Sequence, residues 1–145
     1  MDAVLAQADQ LSTITEQIIG AAMDVHRVIG PGLLESAYEA CLAFELRSHG
    51  FRVEQQKPLP VVYKDVKLDC GYRLDIVVND LVIVEIKAVE KLNSVHEAQL
   101  LSYLRLLNFR VSLLLIFPRA MIKHGIRRIV NDFPSLAKSA TSAVE

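Results

Sequence analysis

The sequence predicts an α/β sandwich, a central mixed β-sheet flanked by α-helices. Three observations carry this. Apolar residues recur at helical spacing before Gly50 and again after Ser94, short β-branched runs fill Phe51 to Lys87, and a further apolar run spans Val111 to Phe117. The resulting order, helix–helix–strands–helix–strand–strand, needs a sheet whose faces are covered by helices. The 145 residues suit one domain, and a hydrophobic fraction of 52% with no Trp and few aromatics makes its core mainly aliphatic.

Residues 1–11 are expected to form a loose arm or a frayed helix start. Ser12 or Thr13 then caps a helix to about Ile29, with Ile14, Ile18, Ala21, Val25 and Ile29 on one face. Gly30-Pro31-Gly32 breaks it. A second helix is predicted from about Leu33 to His49, with Gly50 as its natural stop. Strands follow at Phe51–Gln56, Pro60–Tyr63, Tyr72–Val78 and Leu81–Lys87, with turns at Lys64-Asp65 and Asn79-Asp80. Asn93 or Ser94 caps a helix to about Leu107, ended by Asn108. Val111–Phe117 is a buried strand closed by Pro118, and Gly125–Val130 a last strand. The Ala/Ser-rich residues 132–145 are expected to be a weakly ordered tail or a short helix. No internal repeat is visible.

The net charge of −1 says little about partners, but its distribution says more. From Ala98 to Asn131 there is no Asp or Glu, while Arg105, Arg110, Arg119, Lys123, Arg127 and Arg128 give that segment +6 and leave −7 for the rest. Such a segment can meet phosphates, or it can be a solvated basic face; charge alone leaves both readings open. Cys41 and Cys70 have no metal-type spacing and are too few for an iron–sulfur cluster, so a reduced, cytoplasmic protein is the simplest expectation. The polar, acidic start is not a secretory signal, and no apolar run is long enough to span a bilayer, so no membrane partner is expected.

Asp75, Glu85 and Lys87 are charges inside strands that should otherwise be buried, where charge is costly unless paired or bound to metal. The register of their hairpin decides what they can do, because strand residues alternate faces. A two-residue loop at Asn79-Asp80 would pair Asp75 with Val84 and mix charge with aliphatic groups on both faces. A three-residue loop, Asn79 to Leu81, pairs Asp75 with Glu85 and Arg73 with Lys87. It places Leu74, Ile76, Val78, Val82, Val84 and Ile86 on one face and Arg73, Asp75, Glu85 and Lys87 on the other. The clean separation predicts the second register. Two carboxylates that close repel unless a cation lies between them. Hard oxygen donors with open positions suit Mg²⁺ or Mn²⁺. Lys87 could then orient a water or stabilise developing negative charge. The plainer reading, an ion-pair cluster on a solvated sheet face, fits the spacing at least as well.

On the helix after the hairpin, His96, Gln99 and Tyr103 project to one stripe with Leu100 and Leu107, and Gln99 and Tyr103 are i, i+4 neighbours. His96 alone fits a buried polar group satisfied by a loop carbonyl at least as well as a functional one. On the second helix, Glu35, Tyr38, Leu42 and Leu46 share a face. Glu35 sits in the first turn, at the N3 place of a capping arrangement after Gly32, which is a sufficient structural reason for it; the functional reading points it into the metal site.

Taken together, Asp75, Glu85-Ile86-Lys87 and Gln99-x-x-x-Tyr103 resemble the PD-(D/E)XK nuclease superfamily, in particular its exonuclease branch with a Q-x-x-x-Y helix. Gly32-Leu33-Leu34-Glu35-Ser36-Ala37-Tyr38 reads G-x-x-E-x-x-Y, which resembles the small prokaryotic GxxExxY family placed in that superfamily. The resemblance covers about Ile14 to Asn131. It implies a restriction-endonuclease-like sandwich, a single domain with its core at about 12–131 and arms at 1–11 and 132–145. Asp75, Glu85 and the Ile86 carbonyl would hold Mg²⁺ or Mn²⁺, and Lys87 would position the attacking water. Glu35 would match the acidic residue of the first core helix, and Gln99 and Tyr103 would orient the lysine, the water or a phosphate. Leu74 stands where many members carry proline.

The resemblance thus implies a metal-dependent nuclease hydrolysing phosphodiester bonds. DNA is expected ahead of RNA, and His96, Arg73, Arg119, Lys123, Arg127 and Arg128 are candidate substrate contacts. The alternative is a non-catalytic nucleic-acid-binding or accessory module on the same fold. A third reading is an interaction protein, with a homodimer or an accessory protein as partner.

Overall fold

The computed structural model describes residues 2–88, 94–117 and 125–132. Three helices and seven strands lie within them: α1 (Asp2–Ile29), α2 (Glu35–Ser48), β1 (Val53–Pro58), β2 (Val61–Tyr63), β3 (Val66–Leu68), β4 (Arg73–Val78), β5 (Val82–Lys87), α3 (Ser94–Leu107), β6 (Val111–Ile116) and β7 (Ile126–Val130). Five strands form one sheet in the order β1-β4-β5-β6-β7; β2 and β3 pair separately. Only β5 and β6 run parallel, and α3 connects them, so the sheet is mixed.

Two cores cover the two faces of the sheet. Leu11, Ile18, Val25 of α1 and Tyr38, Leu42, Leu46 of α2 pack on Ile76, Val78, Val84, Ile86, Leu113 and Leu115. Leu100, Tyr103 and Leu104 of α3 pack on Val77, Ile83 and Leu114. Because β5 and β6 are buried on both faces, they read as continuous apolar runs rather than alternating ones. The expected α/β sandwich is the observed one.

Several boundaries differ from the expectation. Residues 2–11 are not an arm: α1 is continuous from Asp2, and Leu11 is buried in its contact with the sheet. The stretch is rich in Ala, Leu and Gln with no Gly or Pro, so helix propensity carries it through Ser12 and Thr13. The Thr15 hydroxyl is bonded back to the Ser12 carbonyl at 2.9 Å inside the helix. α2 begins at Glu35 with Leu34 as an N-cap that offers no side-chain bond, so Glu35 is its first residue, not the third of a capping box. Strand β3 was not foreseen; Lys64 and Asp65, both at positive φ, make a tight turn that pairs Tyr63 with Val66. Residues 133–145, where a tail or short helix was expected, lie outside the described residues, as does Pro118.

The decisive hairpin has the three-residue loop. Val78 pairs with Val82, Val77 with Ile83 and Ile76 with Val84, and Asn79 and Asp80 both take the left-handed conformation that Asn and Asp tolerate. The faces are less clean than expected. Leu74 belongs to the α3-side core with Leu59 and Val77, not to the α1/α2 side with Ile76. Pairing stops at Ile76–Val84, so Arg73 and Lys87 do not form a ladder pair.

Candidate active site

The site is built where β4 loses its neighbours. On the β1 side, pairing skips Gln56 opposite Asp75, and Gln56 is held at φ 52°. On the β5 side, the ladder ends one residue before Asp75 would meet Glu85. Side chains replace the missing bonds. The Asp75 amide donates to Glu85 Oε1 at 2.9 Å, and the Ile86 amide donates to Asp75 Oδ2 at 2.9 Å. Each carboxylate therefore satisfies a backbone donor on the opposite strand, and both are held rigidly against each other.

This pair is not a solvated ion-pair cluster. Glu85 is only 6% exposed, and among the described residues no ion pair holds either carboxylate. Burial, then the Asp75 charge, push the Glu85 carboxyl up to about 8, opposed by its bond from the Asp75 amide and by Lys87. Lys87 follows two residues later on the same strand and is half-buried. Lys87 offsets the cost of this pair only in part, since the Glu85 carboxyl stays raised. The donors fit a hard divalent ion: two carboxylates fixed side by side, with the Ile86 carbonyl between Glu85 and Lys87 as a further oxygen. Among the described residues no group of three or more Asp, Glu, His or Cys converges, so the remaining positions around an ion would fall to water or substrate oxygens.

Glu35 is tied to the same end of the sheet. Its Oε2 accepts from the Ala88 amide at 2.9 Å, one residue past Lys87. The loop before it is shaped by Tyr38, whose hydroxyl donates to the Gly30 carbonyl at 2.7 Å and accepts from the Leu33 amide at 3.2 Å. Its ring stacks on Phe117 at 4.2 Å, just past β6. Gly32 has φ +99°, open only to glycine without strain. The G-x-x-E-x-x-Y pattern thus has a mechanical reading: the glycine makes the turn, the tyrosine clamps it to the sheet, and the glutamate meets the end of β5.

On the other face, Tyr103 is buried beside the carboxylates. Burial, then the charges of Glu85, Tyr72 and Asp75, raise its hydroxyl to about 12, while a bond from Gln99 opposes the shift. Gln99 is exposed at the helix surface and joins the site through that tyrosine. His96 lies on the sheet-facing stripe of α3, half-buried, with its Nδ1 enclosed and without a hydrogen-bond partner. The loop carbonyl that would have made it an ordinary buried histidine is not there among the described residues.

The described basic residues stand in separate places. Arg73 is drawn to Asp69 at 3.6 Å and to the Tyr72 carbonyl, away from the carboxylate pair. Arg110 is paired with Asp132 at 2.8 Å. Arg127 is registered with Leu114 and Arg128 with Leu113, so the two leave the sheet on opposite faces. Of these two, Arg127 shares the face of Glu85, through Leu114 on the intervening strand and roughly 10 Å away at two strand spacings. Arg119 and Lys123 lie outside the described residues.

Two residues of the site were missed in the sequence. Gln56 Nε2 donates to Glu39 Oε1 at 2.6 Å and to Asp75 Oδ1 at 3.3 Å, while Gln55 Nε2 donates to Glu39 Oε2 at 2.9 Å. Glu39 lies one helical turn after Glu35, and that i, i+4 spacing of acids was the available signal. Gln56 had none, since a left-handed glutamine in a strand is not readable from its neighbours.

The profile of the PD-(D/E)XK nuclease superfamily matches residues 12–129. The chain belongs to the PD-(D/E)XK nuclease superfamily. Searches of curated proteins and of solved structures gave no match. The mixed sheet flanked by helices is the restriction-endonuclease-like architecture of the superfamily, and its members generally use divalent metals. The superfamily match covers all the residues just placed around the carboxylate pair. Among the described residues, no helix is long and apolar enough to cross a membrane.

Proposed function

We propose that this chain is a divalent-metal-dependent nuclease that hydrolyses phosphodiester bonds, in DNA ahead of RNA. The observation that carries the proposal is the reciprocal Asp75–Glu85 pair, two carboxylates fixed against each other, Glu85 buried and Asp75 half-buried, with Lys87 beside them on the same strand.

Asp75, Glu85 and the Ile86 carbonyl would hold Mg²⁺ or Mn²⁺. The bound ion would supply Lewis acidity toward a phosphate oxygen and stabilise the charge that develops there. Lys87 stands on the same strand face as Glu85 and orients the attacking water while its charge faces the phosphorane-like transition state. Tyr103, with its hydroxyl kept protonated by burial and nearby acids, has a proton to donate toward a phosphate or the water while its oxygen accepts from Gln99, which fixes its orientation. Glu35, held at the Ala88 amide, and Glu39, held through Gln56, keep α2 and β1 in place around the carboxylates. The mechanical role of Gly32, Glu35 and Tyr38 supports placing the chain in the GxxExxY group within the superfamily.

The test is to incubate wild type and Glu85→Ala with labelled single- and double-stranded DNA and RNA, in Mn²⁺ or in EDTA. Cleavage by wild type in Mn²⁺ alone is expected. Equal cleavage by Glu85→Ala, or none by folded wild type, would overturn the proposal.

A further inference from the structure

The hairpin of β2 and β3 leaves the sheet next to the carboxylate pair and carries a bare apolar face. Its base is closed by the Leu59 amide donating to the Tyr72 carbonyl at 3.0 Å, three residues before Asp75. Pairing of Val61 with Leu68, Val62 with Lys67 and Tyr63 with Val66 puts Val61, Tyr63, Val66 and Leu68 on one side and Val62 and Lys67 on the other. On the first side, Tyr63 is 59%, Val66 55% and Leu68 44% exposed. Lys64 Nζ lies 5.4 Å from the centre of the Tyr63 ring, so a cation stands beside an open aromatic face. The strand that returns from the hairpin passes through Tyr72, 40% exposed, whose ring meets Tyr103 edge-on at 5.7 Å. Tyr103 in turn borders Glu85 and Asp75.

We infer that this hairpin is a docking surface for unpaired nucleotides, which makes single-stranded nucleic acid, or a frayed end, the substrate class of the site. The inference rests on the nuclease reading for its substrate, but it stands on different residues. An exposed tyrosine flanked by branched aliphatic side chains gains from contact with the flat apolar face of a base. Lys64, beside the Tyr63 ring, can meet a phosphate of the strand whose base lies on that ring. A duplex offers such a surface little, because its base faces are stacked inward and it presents phosphates outward. Tyr72 against Tyr103 continues the aromatic contact from the hairpin to the carboxylates. An apolar protein partner could use Val66 and Leu68, but it has no need of Lys64 beside the Tyr63 ring. A charge-alternating strand with ring faces matches both features.

The test uses the full chain in EDTA, so that nothing is cut, with fluorescence anisotropy on labelled oligothymidylate and on a blunt duplex of equal length. Wild type is expected to bind the single strand more tightly. Tyr63→Ala should weaken that binding by about five- to a hundredfold, the range for loss of one base–aromatic stack, and leave duplex binding unchanged. Tyr63→Phe, which keeps the ring, should retain it, and Val62→Ala on the opposite side should have no effect. Unchanged thermal midpoints show that each variant is folded. Equal loss on single strand and duplex, or none on either, would overturn the inference while leaving cleavage in Mn²⁺ to stand for the nuclease reading. Tyr63-dependent strand binding without any cleavage would support the hairpin and overturn the nuclease. A dimer of wild type that Tyr63→Ala dissolves would assign the face to a second copy and overturn the inference.

Discussion

Asp75 and Glu85 exchange the bonds that their strands do not make: the Asp75 amide donates to the Glu85 carboxylate, and the Ile86 amide donates to the Asp75 carboxylate, both at 2.9 Å. The exchange fixes two carboxyl groups against each other, Glu85 buried and Asp75 half-buried, and its consequence is a pH dependence. The Glu85 carboxyl rises from 4.5 to about 8 on folding, first through burial and then through Asp75. A carboxyl with a raised folded value binds its proton more tightly in the native state. Its contribution to stability is therefore whole below pH 4.5, falls as pH rises from 4.5 toward 8, and is gone above 8. Metal-free wild type should melt at progressively lower temperature across that window, and Glu85→Gln should flatten the slope. Saturating Mn²⁺ should flatten it too, by replacing the proton. Thermal melts in EDTA and in Mn²⁺ read both effects; an equal slope in Glu85→Gln would refute the account.

Lys87 separates chemistry from metal binding. It stands beside the carboxylates but is not one of the oxygen donors. Lys87→Ala should lower the cleavage rate by about a hundred- to a thousandfold, the range for a lost electrostatic group at a transition state. Mn²⁺ affinity by calorimetry should persist, whereas Asp75→Ala should abolish the heat. Loss of Mn²⁺ binding in Lys87→Ala would mean that the lysine holds the site together instead.

Gln56 is the strained member of the site, at φ 52° with its amide bridging Glu39 and Asp75. Glycine tolerates that conformation, whereas a residue with a Cβ loses roughly 1 kcal/mol there. Gln56→Gly should therefore keep or raise stability in urea while slowing cleavage, because Asp75 loses its link to α2. A parallel fall in both would show the bridge to be structural only.

The hairpin register was legible because one loop length sorted charge from aliphatic residues and the other did not. What it could not show was the end of the ladder at Ile76–Val84, since that depends on side chains of Asp75 and Glu85 displacing backbone partners. The same break turns Leu74 toward the α3 side, against simple alternation. The three helices were legible from apolar periodicity, yet the start of α1 was not, because Ser12 and Thr13 are good caps that this chain leaves inside a helix. The positive segment from Ala98 to Asn131 left open a phosphate-meeting stretch or a solvated basic face. In space, a two-residue alternation sends Arg127 and Arg128 to opposite faces, and Asp132 neutralises Arg110 from just outside the segment.

The loop that precedes Glu35 offers a last pair of outcomes. Tyr38 is fully buried, stacked on Phe117, and its hydroxyl makes two bonds, to the Gly30 carbonyl and from the Leu33 amide. Tyr38→Phe keeps the stack and removes both bonds, so it should cost about 1–3 kcal/mol of unfolding free energy in urea. Gly32→Ala should cost about 1–2 kcal/mol by strain alone, since φ is +99° and nothing lies within 4 Å of the added Cβ. Gly20, inside α1 with equally open space, is the control: Gly20→Ala should stabilise by roughly 0.5–1 kcal/mol through helix propensity. If the loop positions Glu35 against the Ala88 amide, the first two variants should also slow cleavage at temperatures where they remain folded, and Gly20→Ala should not. Full activity in Tyr38→Phe and Gly32→Ala would confine the G-x-x-E-x-x-Y loop to stability and remove Glu35 from the working site.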